Sequence, residues 1–140
     1  MLVAEVLRSQ QVQTLQPDAS VREAAQVMRD HDIGDVLVCD GDQLVGIVTD
    51  RDIAVRAAGD GKDPDTCTVD EICSPNMVTI DSMASTDDAA SMMRQFALRR
   101  LPVIGSDGLT LYGVVTLGDL AREVDPHGAL ADISRAPSNN

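Results

Sequence analysis

The chain has 140 residues, 44% of them hydrophobic, and a formal net charge of −12 at pH 7. With one Tyr, one Phe and no Trp, it lacks both the cationic surface and the stacking platforms of a nucleic-acid binder, and the charge argues equally against an anionic membrane surface. The length suits one ordinary domain or two very small ones, with a core of Val, Ile, Leu, Ala and Met.

The N-terminal Met1-Leu2-Val3-Ala4-Glu5-Val6-Leu7 lacks the positive lead and long apolar core of a signal peptide. No run approaches the length of a membrane span. Three cysteines, an odd number, fit a reducing compartment. A cytoplasmic protein is expected.

Val12 to Leu15 reads as a short strand. Ser20 and Glu23 then make a Ser-x-x-Glu capping box, and Val21, Ala24, Ala25 and Met28 follow at helical spacing. Val36 to Cys39 and Leu44 to Val48 read as strands joined through Asp40-Gly41-Asp42, a hairpin signal. A second helix is expected from about Asp50 to Ala58, stopped by Gly59. Gly59 to Thr66 is a polar linker.

The order then repeats. Thr79-Ile80 aligns with Thr14-Leu15, within a strand expected from Met77 to Ile80. Ser85 and Asp88 give a weaker box, since Asp reaches back less well than Glu. Thr86, Ala89, Ala90 and Met93 match the first helix, and Leu101-Pro102-Val103 matches Val36-Leu37-Val38. Val103-Ile104 and Leu111 to Val115 flank a loop, Gly105-Ser106-Asp107-Gly108, that is two residues longer than its counterpart. A last helix is expected from Leu117 to Val124, ended before Pro126. Even the lead-ins Val3-Ala4-Glu5-Val6 and Val69-Asp70-Glu71-Ile72 correspond.

Each copy reads strand, helix, strand, strand, helix. Such an α+β unit is too small to bury its own sheet face, so two should pack together. The expected boundaries are 1–61, a linker at 62–68, a second unit at 69–125, and a tail at 126–140. In the tail Leu130 and Ile133 are able to dock, and 136–140 is expected to fray.

Two stretches carry the chemistry: Gly46-Ile47-Val48-Thr49-Asp50-Arg51-Asp52 and Gly113-Val114-Val115-Thr116-Leu117-Gly118-Asp119. Each ends a strand and opens a helix with a hydroxyl and a carboxylate on the first turn. Free N–H groups and the positive dipole end attract anions there. The hydroxyl suits a phosphate and the carboxylate a ribose diol. The plainer reading is a Thr N-cap with an acid at N3, worth about 1 kcal/mol per cap.

The repeated order and the doubled Gly-x-x-Thr-x-x-Asp resemble a CBS-domain pair, or Bateman module, of the stand-alone type. Arg100-Leu101-Pro102-Val103 also resembles the family's lead into its second strand. The resemblance runs from about Leu2 to Glu123. It implies tandem CBS domains, each β-α-β-β-α, packed sheet to sheet with pseudo-two-fold symmetry and leaving two clefts. It also implies a regulatory ligand, AMP, ADP, ATP or S-adenosylmethionine, and association of two pairs into a disc-like homodimer.

Carried over, Asp52 and Asp119 match the ribose-binding acid, and Thr49 and Thr116 the phosphate-contacting hydroxyl. Thr14 and Thr79 match the strand edge that meets adenine. Arg100 matches a basic residue that reaches phosphate in some relatives, and Pro102 lies beside it. The copies differ. Arg100 of the second is Asp35 in the first, while Arg51 of the first is Gly118 in the second. One competent phosphate cleft and one weaker or empty one are therefore expected.

The other chemistry-bearing residues read as structural. Cys39, Cys67 and Cys73 have no metal-ligand spacing. Cys39 reads as a small buried hydrophobe, and a Cys67–Cys73 disulfide is the minority alternative. His31 and His127 are isolated, and Arg99 suits a solvated helix end. Met28, Met77, Met83, Met92 and Met93 fall largely on apolar stripes. Asp60, Asp63, Asp65, Asp70 and Glu71 lack EF-hand spacing. No nucleophile–base pair or metal set supports catalysis. The primary reading is a non-enzymatic adenosine-ligand sensor that signals to an effector protein on another chain. The rival is a nucleotide-free interaction module that dimerises.

Overall fold

The computed structural model describes residues 1–7, 12–75 and 78–124, with only the backbone of Val124. The expectations for Met77, Pro126, His127, Leu130, Ile133 and the 126–140 tail lie outside the described residues.

The chain forms two compact α+β units, each with a three-stranded sheet. The first comprises residues 13–75. Its sheet has the order β1 (Thr14–Leu15), β2 (Asp35–Asp40), β3 (Gln43–Thr49), with β1 parallel and β3 antiparallel to β2. The second holds residues 1–7 and 78–124. Its order is β4 (Ile80–Asp81), β5 (Arg100–Ile104), β6 (Leu111–Thr116), with the same directions. Both hairpins slip by one residue at the same place, after Val38 and after Val103, leaving Val45 and Tyr112 as the extra residues.

The turns follow from their residues. Gly41 takes φ +60° while Asp42 stays out of the left-handed region, which is the type II′ pattern with Gly at the first central position. In the longer loop, Asp107 accepts hydrogen bonds from the Thr110 hydroxyl and from the Thr110 and Leu109 N–H groups. These contacts hold its carboxyl down to about 2.

Both edge strands are shorter than their apolar runs, and Pro102 accounts for the later start of β4. Leu37 N–H donates to the Gln13 carbonyl at 3.2 Å and opens the β1 ladder. Pro102 stands at the equivalent place and has no N–H to give. The pairing therefore begins at Ile80↔Val103 rather than one residue earlier. The lost donor faces only this short edge, so the β5–β6 ladder runs through Pro102↔Val114 intact.

Helices α2 (Val21–His31) and α5 (Thr86–Phe96) start on Ser20 and Ser85, whose hydroxyls accept from Glu23 and Asp88 N–H at 3.1 Å each. The weaker box turns out to be the complete one. Asp88 reaches back to Ser85 N–H at 3.3 Å, whereas Glu23 only lends its own N–H. The two helices end alike, with Asp32 at φ 51° and Ala97 at φ 54°. An L residue there is strained, and Ala lacks the local hydrogen bonding that eases Asp. Ala97→Gly is therefore expected to stabilise the protein by about 1 kcal/mol and raise Tm by about 3 °C, read in a thermal melt.

Each unit is closed by a short lead-in helix. In the second unit α1 (Val3–Val6) docks through Val3 N–H to Ala84 O at 2.8 Å and Ala4 N–H to Ser82 O at 3.0 Å. In the first, α4 (Val69–Ile72) docks through Val69 N–H to Ala19 O at 2.8 Å and Asp70 N–H to Pro17 O at 3.2 Å. Val3 joins the core of Leu101, Val103 and Val115, while Val69 and Ile72 join that of Val36, Val38 and Val48. All of these residues are at most 1% exposed, and their burial supplies the main driving force for each unit.

The remaining elements leave β3 and β6. α3 makes one α-helical turn (Asp50–Asp52) and continues as a π-helix over Ile53–Ala58, where a uniform α-helix was expected. α6 (Leu117–Val124) is α-helical throughout. Gly59 N–H donates to Ala54 O at 2.9 Å and Lys62 N–H to Ala57 O at 3.0 Å, both across the wider five-residue spacing.

Candidate functional site

The two stations of interest lie where β3 runs into α3 and where β6 runs into α6. Thr49 is extended at φ −115° and caps the helix. Its hydroxyl accepts from Asp52 N–H at 3.1 Å, and its own N–H donates to Asp52 Oδ2 at 2.9 Å. Thr116 and Asp119 repeat this at 3.1 Å and 2.9 Å. The helix-cap reading of the motif is thus realised at both stations. Thr116→Val is expected to remove the acceptor of Asp119 N–H and cost about 1 kcal/mol, seen as a lower urea midpoint at unchanged m.

Gly46, which opens the first motif, is required by a close approach. Ser74 N–H donates to Ile47 O at 3.0 Å, bringing the segment after α4 against β3. A Cβ on Gly46 would lie 2.7 Å from Cys73 Sγ and 3.3 Å from Ser74 O. Gly113 takes φ 137° beside the bulge, a conformation that disfavours a side chain.

Capping alone does not account for the burial. Asp88 forms the same reciprocal box while exposed. Asp52 and Asp119 are only 9% and 6% exposed, and they are two of just four polar or charged residues buried among those described. A buried carboxylate is costly unless it is met by hydrogen bonds or a cation. Each station supplies a cation from its own helix. Arg122 donates through Nη2 to Asp119 Oδ1. Arg56 Nε stands 3.9 Å from Asp52 Oδ1, while its Nη1 donates to Ile72 O at 3.2 Å.

The residues across the hairpin differ in sign. Asp35 is the ladder partner of Thr49, and Arg100 is the ladder partner of Thr116. Arg51 sits exposed on the first turn of α3. Thr14 is exposed on β1 opposite Leu37, across β2 from the strand of Thr49 and two rungs along from the Asp35–Thr49 pair. Thr79 immediately precedes β4, and Pro102 is buried on β5. Within each unit, then, the Thr, the Asp and the residue facing the Thr come together at the strand end, and the Thr14 or Thr79 edge belongs to the same sheet. Arg56 and Arg122 were not singled out by sequence. Their spacing of four and three residues after a motif acid was the available signal.

The cysteines are free. Burial pushes the Cys39, Cys67 and Cys73 thiols upward, away from the reactive thiolate. Among the described residues no group of three or more His, Cys, Asp or Glu is placed to hold a metal ion, and no helix is long and apolar enough to cross a membrane.

A family model of the CBS domain matches residues 3–59 and again 69–126. The chain is 40% identical to the CBS domain-containing protein YhcV of Bacillus subtilis over 79% of this chain and 77% of that one. It is also 40% identical to Hypoxic response protein 1 of Mycobacterium tuberculosis, over 74% of this chain and 72% of that one. A crystal structure of Hypoxic Response Protein I with two coordinated zinc ions matches at a TM-score of 0.76 and 34% identity, covering 87% and 98% of the two chains. The CBS domain pair of protein MJ0100, solved with 5-methylthioadenosine and S-adenosyl-L-methionine, matches at a TM-score of 0.79 and 29% identity, covering 91% and 98%. The duplicated sheets, the paired Thr–Asp stations and these likenesses agree: this chain belongs to the CBS-domain family and carries two CBS domains in tandem.

Proposed function

We propose that this protein is a non-enzymatic cytoplasmic sensor of an adenosine-containing ligand, AMP, ADP, ATP or S-adenosylmethionine, acting as a homodimer on an effector protein. The observation that carries the reading is the burial of Asp52 and Asp119, since an exposed acid caps α5 equally well. The adenosine compounds bound by the MJ0100 pair support the ligand class.

In this reading the two acids accept the ribose hydroxyls. Each Thr hydroxyl already accepts from the helix, so its own hydrogen is left to donate to a phosphate. Arg51 and Arg100 add positive charge at the two strand ends, and adenine lies along the sheet edges at Thr14 and Thr79, with Pro102 beside the latter. A ligand shifts the protein only by its different affinity for two states.

Thermal unfolding with each of the four compounds tests this. Ligand at 100 times Kd should add about 2.7 kcal/mol, and Asp52→Asn with Asp119→Asn should abolish the gain. Unchanged melting with every compound at millimolar concentration would overturn it. That result would favour the rival, a nucleotide-free interaction module. One specific observation favours the rival already: both motif acids find protein partners for both of their oxygens.

A further inference from the structure

The two motif carboxylates are not equally available, and the cause lies in the helices that follow them. In α6 the residue three positions after the acid is Arg122. It sits over Asp119 and donates directly to Oδ1, the oxygen that the cap leaves over. In α3 the residue three positions after the acid is Val55, which is 52% exposed. Arg56, four positions on, stands beside Asp52 instead, at the ordinary spacing of helical neighbours. Its guanidinium is held by the Ile72 carbonyl at the end of α4 and reaches Asp52 Oδ1 only at 3.9 Å. One outer oxygen is therefore engaged by a direct hydrogen bond, and the other by a cation at arm's length.

We propose that Arg122 is a specificity-determining residue that competes internally with a ribose diol for Asp119, so that Asp52 takes an adenosine ribose first. This rests on the reading of Asp52 and Asp119 as the ribose acceptors. A ribose at Asp119 must share Oδ1 with Arg122 or replace its hydrogen bond there. The Arg122 side chain is 32% exposed, so it has solvent to move into, and solvent also limits the strength of the clasp. At Asp52 the same oxygen accepts a hydroxyl without displacing a hydrogen-bonded cation. The two stations then fill in order, and occupancy of the second reports ligand concentrations above those that saturate the first.

The probe is adenosine, which has the diol but no phosphate, so that removing an arginine changes no phosphate attraction. Isothermal titration of the full chain is expected to show a tighter and a weaker step. Asp52→Asn should remove the tighter step, and Asp119→Asn the weaker one. Arg122→Gln should strengthen the weaker step about fivefold, the value of a partly exposed ion pair, and Arg122→Lys should fall between. With 2′-deoxyadenosine that gain should vanish.

A weaker step that is unchanged or weakened in Arg122→Gln overturns the competitor role. If the Asn variants alter adenosine binding while Arg122→Gln does not, only this inference fails. If adenosine binds and neither Asn variant alters it, the ribose reading of the acids fails with it. Absence of adenosine heat in every variant overturns this inference, while the ribose reading is decided separately by the melts with the four compounds.

Discussion

Ile72→Ala is expected to cost about 3 kcal/mol, and the loss should appear in the unit formed by residues 13–75. Ile72 is fully buried, in the same core cluster as Val21, Val36, Val38 and Val48. Truncation removes three methyl or methylene groups and leaves a cavity that the surrounding β-branched side chains close only in part. The docking hydrogen bonds of α4 run to Ala19 and Pro17, and Val21 N–H returns to Cys67 O at 2.9 Å. A loosened α4 therefore exposes one end of α2. Native-state hydrogen exchange should show lost protection across β2 and β3, with β5 and β6 retaining theirs. Val3→Ala, in the fully buried first position of α1, should do the reverse at about 2 kcal/mol. Lost protection in β5 and β6 on changing Ile72 would contradict the packing of α4.

Why the lead-in helices close the cores they do is not readable from their residues. Val3-Ala4-Glu5-Val6 and Val69-Asp70-Glu71-Ile72 have the same apolar spacing, and spacing shows that a face is apolar, not which core receives it. The hairpins were legible because alternation and a Gly-bearing turn fix the register locally. The late start of β4 was legible in principle, since Pro102 lacks a donor wherever it sits.

At the stations the residue types and the cap could be read directly. Their burial could not, because Ser85-x-x-Asp88 and Thr116-x-x-Asp119 differ by one methyl group on the cap, yet only the second acid is buried. That difference arises from what the rest of the unit lays over the helix start. The asymmetry between Arg56 and Arg122 was present in their spacing from the acids, but which guanidinium reaches its carboxylate directly depends on packing that spacing does not encode.

Gly59→Ala is expected to destabilise the protein by about 2–3 kcal/mol, the opposite sign to the gain of about 1 kcal/mol that the exchange gives inside an ordinary helix. Gly59 has ordinary helical dihedrals, φ −60° and ψ −32°, so no conformational strain opposes the change. The obstacle is steric. A Cβ there would stand 2.4 Å from the Val55 carbonyl oxygen, which the π register turns toward it. Backbone cannot yield as a side-chain tip does, so the turn must open. The Gly59–Ala54 and Lys62–Ala57 hydrogen bonds would go with it, as would the packing of Ala57, which is 2% exposed in the core. Opening the turn would also disturb the start of α3, which carries Asp52 and Arg56. A melt should show the loss in stability. Adenosine titration of the same variant should show whether the Asp52 station has changed, and unaltered stability would mean that the π turn is not fixed by Gly59.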